Sequence, residues 1–342
     1  MNTGQHELVV DRPGEFRIVA HTPRPPGHGE ALVRVHAAGI CGSDREVFHG
    51  TRPDGFVHYP LVPGHEWSGT VEAVGPDVPG SLIGRKVVGE GFRSCLRCAR
   101  CRAGETTLCE AGYAETGFTV PGAMASTLTL PARLLHVLAD DADLTAAALL
   151  EPMACVAAAA LAADVRPGDR VAVVGTGTLG VLSLQLLAAS SPGELVAVGR
   201  GEVSAERAHR HGARTYLTYD NVARAGTFDI VVEAAGSARS ASVSSALVRR
   251  GGRLVLTGIP APGAIPLDPA DLVVRQVEVR TVFGANSAAW AHAVRAFTAG
   301  LVDLRSVVTH RMALGEFAEA IELMGEARPD VGKILLLPAS TA

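Results

Sequence analysis

Residues 170–189, RVAVVGTGTLGVLSLQLLAA, read as an apolar strand, a glycine turn and an apolar helix with nothing between them. The turn carries Gly175, Gly177 and Gly180 in the order G-x-G-x-x-G, with Thr176, Thr178 and Leu179 in the gaps. Such a pattern is weak on its own, because glycine is common. Between a strand and a helix it predicts a dinucleotide-binding βαβ unit. Gly175 permits the tight turn, Gly177 lets a pyrophosphate approach the backbone, and Gly180 lets helix and strand pack closely. The helix N-terminus then offers unpaired N–H groups to phosphate.

Apolar runs alternate with helical stretches on either side of this turn, at Val171–Val174, Leu195–Val198, Thr215–Leu217, Asp229–Glu233, Leu254–Thr257 and Val277–Val282. That alternation predicts a doubly wound parallel sheet, in an α/β domain over residues 151–285. The second strand ends LVAVGR. A fold that binds NAD usually has an acid there for the ribose hydroxyl, but this chain has Gly199 followed by Arg200. Loss of the carboxylate and gain of a guanidinium favour the 2′-phosphate of NADP. The competing reading has Arg200 solvated and Glu202 on the ribose of NAD.

The first 150 residues have a different texture. Residues 7–40 alternate apolar and polar between Pro/Gly turns, and strand-like runs follow at Glu30–His36, Ser68–Val74 and Arg85–Val88. They predict a β-rich domain over 1–150. The end of the chain, 286–342, holds two helical stretches (Ser287–Gly300 and Gly315–Met324) and a last strand, Lys333–Leu337. It is too short to fold alone and is expected to complete the first domain.

A hydrophobic fraction of 47% supplies a large core, and a net charge of −4 gives no bulk attraction to nucleic acid or to an anionic membrane. The alanine-rich stretch 145–163 is broken by Glu151 and Pro152, and so reads as a packed helix rather than a membrane span. The start, MNTGQHELVV, lacks the basic and apolar regions of a secretory signal, so a cytoplasmic protein is expected. In that compartment six cysteines point to metal or catalysis before disulfides.

Four of those six lie in CLRCARCRAGETTLC, at Cys95, Cys98, Cys101 and Cys109. Four thiolates close a tetrahedral zinc site with no open position, which makes it structural. An iron–sulfur run shares the first two spacings but places its fourth cysteine after three residues, before a proline. Here seven residues intervene and Glu110 follows. Arg97, Arg100 and Arg102 lend the lobe some positive charge, but a nucleic-acid finger has no use for the glycine turn. A catalytic zinc wants three ligands and an open place. Cys41 in GICGSD, His65 in PGHEWSG and a carboxylate, Glu66 or Glu151, supply them. One thiolate and one carboxylate neutralise the dication.

Taken together these residues resemble the zinc-dependent medium-chain alcohol dehydrogenases. Gly64-His65-Glu66-x-x-Gly69, followed by Gly75 and Val78, matches that family's zinc signature, and the likeness extends through GICGSD, the cysteine lobe, LLEP, GTGTLG, FDIVVEAAG and GKILLL. The branch it looks like is that of the polyol and threonine dehydrogenases, in which a glutamate such as Glu151 replaces a second thiolate. The resemblance implies a β-rich GroES-like catalytic domain and a Rossmann domain. It implies two zinc ions per chain, one catalytic and one structural, NADP or NAD as cofactor, and a homo-oligomer, dimer or tetramer. Ser43 matches the start of the family's proton relay. Glu46 stands where many relatives have the next relay histidine, and His49 is a substitute for it. Asp44 reads as a support for the metal site or as the N-cap of a helix from Arg45, and Cys155 as a small buried thiol. The sequence is also similar to dehydrogenases that oxidise 2-deoxy-scyllo-inosamine, an aminocyclitol, in aminoglycoside biosynthesis. Such a substrate would give Glu46 an ammonium to pair with. Threonine, sorbitol and simple alcohols are the alternatives.

Overall fold

In the first part of the chain the strands are antiparallel. β1 (His6–Arg12) and β2 (Glu15–Ala20) form a hairpin. β3 (Glu30–Gly39) pairs antiparallel with β4 (Trp67–Val74) on one side. β5 (Lys86–Gly89), β6 (Thr127–Pro131) and β7 (Leu135–Val137) extend the arrangement through β4–β5, β3–β6 and β5–β7 pairs. Alternation explains the middle of β3: Val33 and Val35 go into the core while Arg34 and His36 point out. At its end Ala37, Ala38 and Gly39 are all buried, because another strand lies alongside them. The connections carry short helices, α1 (Gly42–His49), α2 (Ala99–Arg102) and α3 (Leu144–Ala147).

α4 (Leu150–Ala163) leads into the second part, where every strand pairing is parallel. It contains β8 (Arg170–Val174), β9 (Glu194–Gly199), β10 (Thr215–Thr218), β11 (Phe228–Glu233), β12 (Val248–Leu256) and β13 (Glu278–Thr281). α5 (Thr178–Ala188) follows β8. The sheet order is β10-β9-β8-β11-β12-β13, a doubly wound order that reverses beside β8. The inner strands β8, β9 and β11 are buried on both faces and are therefore nearly all apolar, while the edge strands β10 and β13 are more exposed and more polar. Val171, Val173, Leu195 and Ala197 pack on one side with Ala159 of α4 and Leu184 of α5. Their neighbours Ala172, Val174, Val196 and Val198 pack on the other with Leu247 and Leu254.

The last strands, β14 (Val308–Ala313) and β15 (Lys333–Leu337), return to the first sheet and give it the order β14-β15-β3-β4-β5-β7, with β6 also on β3. β15 pairs antiparallel with β3 at Leu335–Gly39 and Leu336–Ala38.

The computed structural model describes residues 4–222, 226–260, 267–326, 328 and 330–338. Two units result, Met1–Glu151 with Leu304–Ala342, and Pro152–Asp303. The returning tail thus begins at Leu304. The helix Ser287–Thr298, which the sequence reading gave to that tail from residue 286, belongs to the second unit. Its apolar face buries Ala289, Trp290, Ala293 and Ala296. Among the described residues no helix is long and apolar enough to cross a membrane.

Gly180 holds α5 against β8. A Cβ on it would lie 2.1 Å from the carbonyl oxygen of Gly175, which is backbone and cannot swing aside. Gly180→Ala is expected to cost about 1–3 kcal/mol in denaturant unfolding, as overpacking does, and to weaken dinucleotide binding measured by titration.

Candidate active site

The metal-type cluster of the first unit grows from the ends of its strands. β3 runs directly into α1, with Cys41 as the N-cap residue. Asp44 sits at the third helical position, where its Oδ2 accepts the Cys41 N–H at 2.9 Å. It is thus not the N-cap itself, and the helix starts at Gly42 rather than Arg45. His65 and Glu66 precede β4, after Gly64, which has φ 100° and no room for a side chain beside Met124. Ligand atoms of Cys41, His65 and Glu66 all lie within 4.8 Å of one another. Glu151 is not part of that trio. It stands at the start of α4, and its carboxyl is pushed up to about 7, chiefly by removal from water and next, among raising influences, by Glu66 and Glu115. Of the two carboxylates left open by the sequence, Glu66 is the one the fold brings to Cys41 and His65.

Three supports hold the trio. Asp44, fully buried, places Oδ1 3.7 Å from His65 Nδ1, and the Ser43 hydroxyl lies 3.5 Å from Nε2. Lys333, the first residue of β15, donates to Glu66 Oε1 at 2.7 Å and to the Ile40 carbonyl at 3.0 Å. Glu66 Oε2 is buried without a hydrogen-bond partner. An orphaned carboxylate oxygen next to a thiol and an imidazole suits a divalent cation, and the N, S and O donor set is that of catalytic zinc. Burial disfavours charge on Asp44 and Glu115 and raises both carboxyls.

Around this core lies a network that sequence reasoning missed. Arg52 donates to Glu46 Oε2 at 3.1 Å, to Tyr113 Oη at 3.1 Å and to the Phe56 carbonyl at 3.0 Å. Its guanidinium sits 3.8 Å from the centroid of Phe118, whose ring is 4.7 Å from that of His65. Tyr113 hydrogen-bonds Glu115. Glu46 therefore already has a cation, and His49 pairs with Glu322 at 3.6 Å. Nothing local in the sequence marks these contacts. Lys333 did leave a signal, as one of two lysines in an arginine-rich chain.

The cysteine lobe gathers as its spacing predicts. The sulfurs of Cys95, Cys98, Cys101 and Cys109 lie within 4.8 Å of one another, and none is in a disulfide. Cys95 and Cys101 sulfurs are 4.0 Å apart, near the roughly 3.8 Å expected of two sulfurs on one tetrahedral zinc. Leu96 takes a left-handed φ of 56°, and the Arg97 and Cys98 N–H groups draw the Cys95 thiol down to about 6.

In the second unit the glycine turn has the geometry its residues predict. Gly175 has φ 121°, and a Cβ there would press on the Ala234–Ala235 peptide at 2.9 Å. Gly177 caps α5 without a side-chain hydrogen bond, and a Cβ on it would meet nothing within 4 Å. The backbone from Thr176 to Leu179 is thus open to a phosphate at a helix N-terminus. Glu233 braces the neighbouring turn by accepting from the Ala235 and Gly236 N–H groups at 2.8 and 2.9 Å. Gly199 ends β9 and is buried, while Arg200 beyond it is exposed.

Comparison with known proteins agrees with both halves. Residues 27–140 match the model of the alcohol dehydrogenase GroES-like domain, and 145–327 match that of the glucose dehydrogenase C-terminus. An L-threonine 3-dehydrogenase of Anaeromyxobacter dehalogenans is 30% identical over 91% of each chain. The chain belongs to the zinc-type medium-chain alcohol dehydrogenases. This family member is an oxidoreductase with a GroES-like and a parallel-sheet Rossmann domain. A sorbitol dehydrogenase of Bacillus subtilis is 27% identical over 96% of each chain. A zinc-binding dehydrogenase of Sinorhizobium meliloti, solved with NADP, superimposes with a TM-score of 0.91 at 26% identity, covering 98% of this chain and 100% of that one.

The pair Lys333–Glu66 is almost wholly buried in this dehydrogenase. Lys333→Met would leave a buried carboxylate without its cation, which typically costs about 3–5 kcal/mol. The expected loss is read as a lowered denaturation midpoint, and adding Glu66→Gln is expected to recover most of it.

Proposed function

We propose that this dehydrogenase oxidises a secondary hydroxyl of a polyol at a zinc ion held by Cys41, His65 and Glu66, with NADP or NAD as hydride acceptor. The observation that carries the reading is the meeting of those three donors. Bound there, zinc supplies a Lewis acid that favours the ionised form of a hydroxyl, and the nicotinamide supplies the oxidant. The protein's part is position and charge. Cys41 and Glu66 bring two negative charges to the dication, and Lys333 offsets one of them. Asp44 faces Nδ1 of His65 and so orients the ring with Nε2 free for the metal. Ser43 stands beside that nitrogen to accept and pass on the hydroxyl proton. Glu151, close to His65 and Glu66 but outside the trio, is a neighbouring acid that would take up or return a proton. Cys95, Cys98, Cys101 and Cys109 hold a second, structural zinc. The turn Gly175–Gly180 holds the pyrophosphate, and Arg200 favours NADP.

A narrower reading has an amino-polyol or aminocyclitol as substrate. Glu46 keeps nearly half its side chain exposed although Arg52 holds one oxygen, which leaves the other for a substrate. Such a carboxylate favours an ammonium. Glu46→Gln is then expected to weaken use of an amino substrate more than of its neutral analogue, and equal loss on both would remove the narrower reading.

Metal analysis is expected to find two zinc ions per chain, one missing in Cys41→Ser and the other missing in Cys98→Ser. A panel of polyols, aminocyclitols, threonine and simple alcohols, followed by nicotinamide absorbance, is expected to favour a polyol or amino-polyol. Turnover of none of them, or metal loss in neither variant, would overturn the proposal.

A further inference from the structure

Gly199 ends β9 at the place where this kind of sheet otherwise carries the ribose-binding acid. The structure gives a reason for its being glycine. A Cβ on Gly199 would lie 2.3 Å from the hydroxyl of Tyr216, and 3.1 and 3.2 Å from two of its ring carbons. Tyr216 comes from the adjoining edge strand β10, where its backbone is opposite Ala197. Its ring packs on the core formed by Leu195, Ala197 and α5. Its hydroxyl donates to the Gly201 carbonyl at 2.6 Å. The ring therefore does two things at once. It fills the space that a side chain at 199 would need, and it ties down the far side of the turn on which Arg200 is carried. Glu202, the other acid available to a ribose, lies beyond the tied residue and is exposed.

We propose that Tyr216 is the specificity-determining residue for the dinucleotide: it bars an acid from position 199 and fixes the Gly199–Gly201 turn so that Arg200 meets a 2′-phosphate. The inference rests on the dinucleotide site proposed above and names what sets its choice. It differs from a simple reading of the Gly199-Arg200 pair, in which restoring the acid would be enough to restore NAD. Here the acid cannot settle until the ring has gone, because displacing the tyrosine forfeits both its packing and its hydrogen bond to Gly201.

The test is equilibrium binding of NADP and of NAD to the full-length protein, followed by calorimetry or protein fluorescence without turnover. Wild type is expected to bind NADP about tenfold or more tighter than NAD, the scale of one charge-assisted contact. Tyr216→Ala is expected to lose several-fold in NADP affinity with little change for NAD, because the turn under Arg200 is released. Gly199→Asp alone is expected to weaken NADP without gaining NAD. Gly199→Asp with Tyr216→Ala is expected to bind NAD at least about fivefold tighter than Gly199→Asp alone, a coupling that independent sites would not show. Thermal unfolding of each variant checks that it is folded. Should Gly199→Asp fail to fold, Gly199→Ala serves in its place, with the NADP losses of Gly199→Ala and Tyr216→Ala expected to be clearly less than additive in the double variant. The proposal is overturned if Gly199→Asp gains NAD as well without the second change, if the NADP losses of Gly199→Ala and Tyr216→Ala simply add in the double variant, or if Tyr216→Ala leaves the NADP to NAD ratio unchanged. A failure of the underlying site looks different: wild type would bind neither dinucleotide, or Arg200→Ala would leave NADP binding intact.

Discussion

The ammonium of Lys333 lies against the carboxylate of Glu66 with both side chains almost wholly out of water. Neither charge is tolerable there alone, since an isolated ion in the interior costs several kcal/mol. The pair therefore binds two distant parts of the chain into one condition. Glu66 is placed by the entry to β4, and Lys333 by the start of β15. β15 reaches that place only by pairing with β3 at Gly39 and Ala38, just before Cys41. The ends of three strands thus meet where the thiol, the imidazole and the acid meet. The returning tail is part of the site's construction, because without it Glu66 would be buried with neither of its oxygens answered.

Space is the second constraint, and it acts through residues that have no side chain. A Cβ on Gly39 would collide with Glu66 Oε2 at 2.1 Å, so the carboxylate can lie against β3 only because that residue is glycine. Gly180 plays the same part between α5 and the end of β8, and Gly175 between that end and the turn after β11. In each case a strand end and a polar group come closer than any other residue would allow. Both candidate sites are made of such approaches, which is why their motifs are written largely in glycine.

This difference in kind explains what could be read in advance. The inner strands of the Rossmann half, such as Arg170–Val174 and Glu194–Gly199, follow from apolar runs buried on both faces, and the glycine turn and cysteine lobe follow from local spacing. Cys41 and His65 were legible because each sits in a short motif with its own backbone demand, but which carboxylate joins them, Glu66 or Glu151, was not. Of the two readings of Asp44, support of the metal site and N-cap, the second fails because Cys41 takes the N-cap and Asp44 sits at the third helical position. Lys333, Arg52 and Tyr216 were not legible in their roles, since each acts across sheet pairings or loop packing that leave no period in the sequence. Helix Ser287–Thr298 was joined to the tail for a related reason: its buried face is plain from the sequence, but the unit it faces is not.

The charges around His65 close the argument for a cation. Cys41, Asp44, Glu66, Glu115 and Glu151 crowd one end of the first unit, and the fixed positive charge beside them is Lys333, with Arg52 further out along Tyr113. Left to itself such a cluster answers by holding protons, and burial raises Asp44, Glu115 and Glu151 accordingly. A dication among the donors inverts that tendency, because its own charge becomes the largest in the site. The same excess of acids that costs free energy without a metal suits a site in which a dication would be held by a thiolate, an imidazole and a carboxylate.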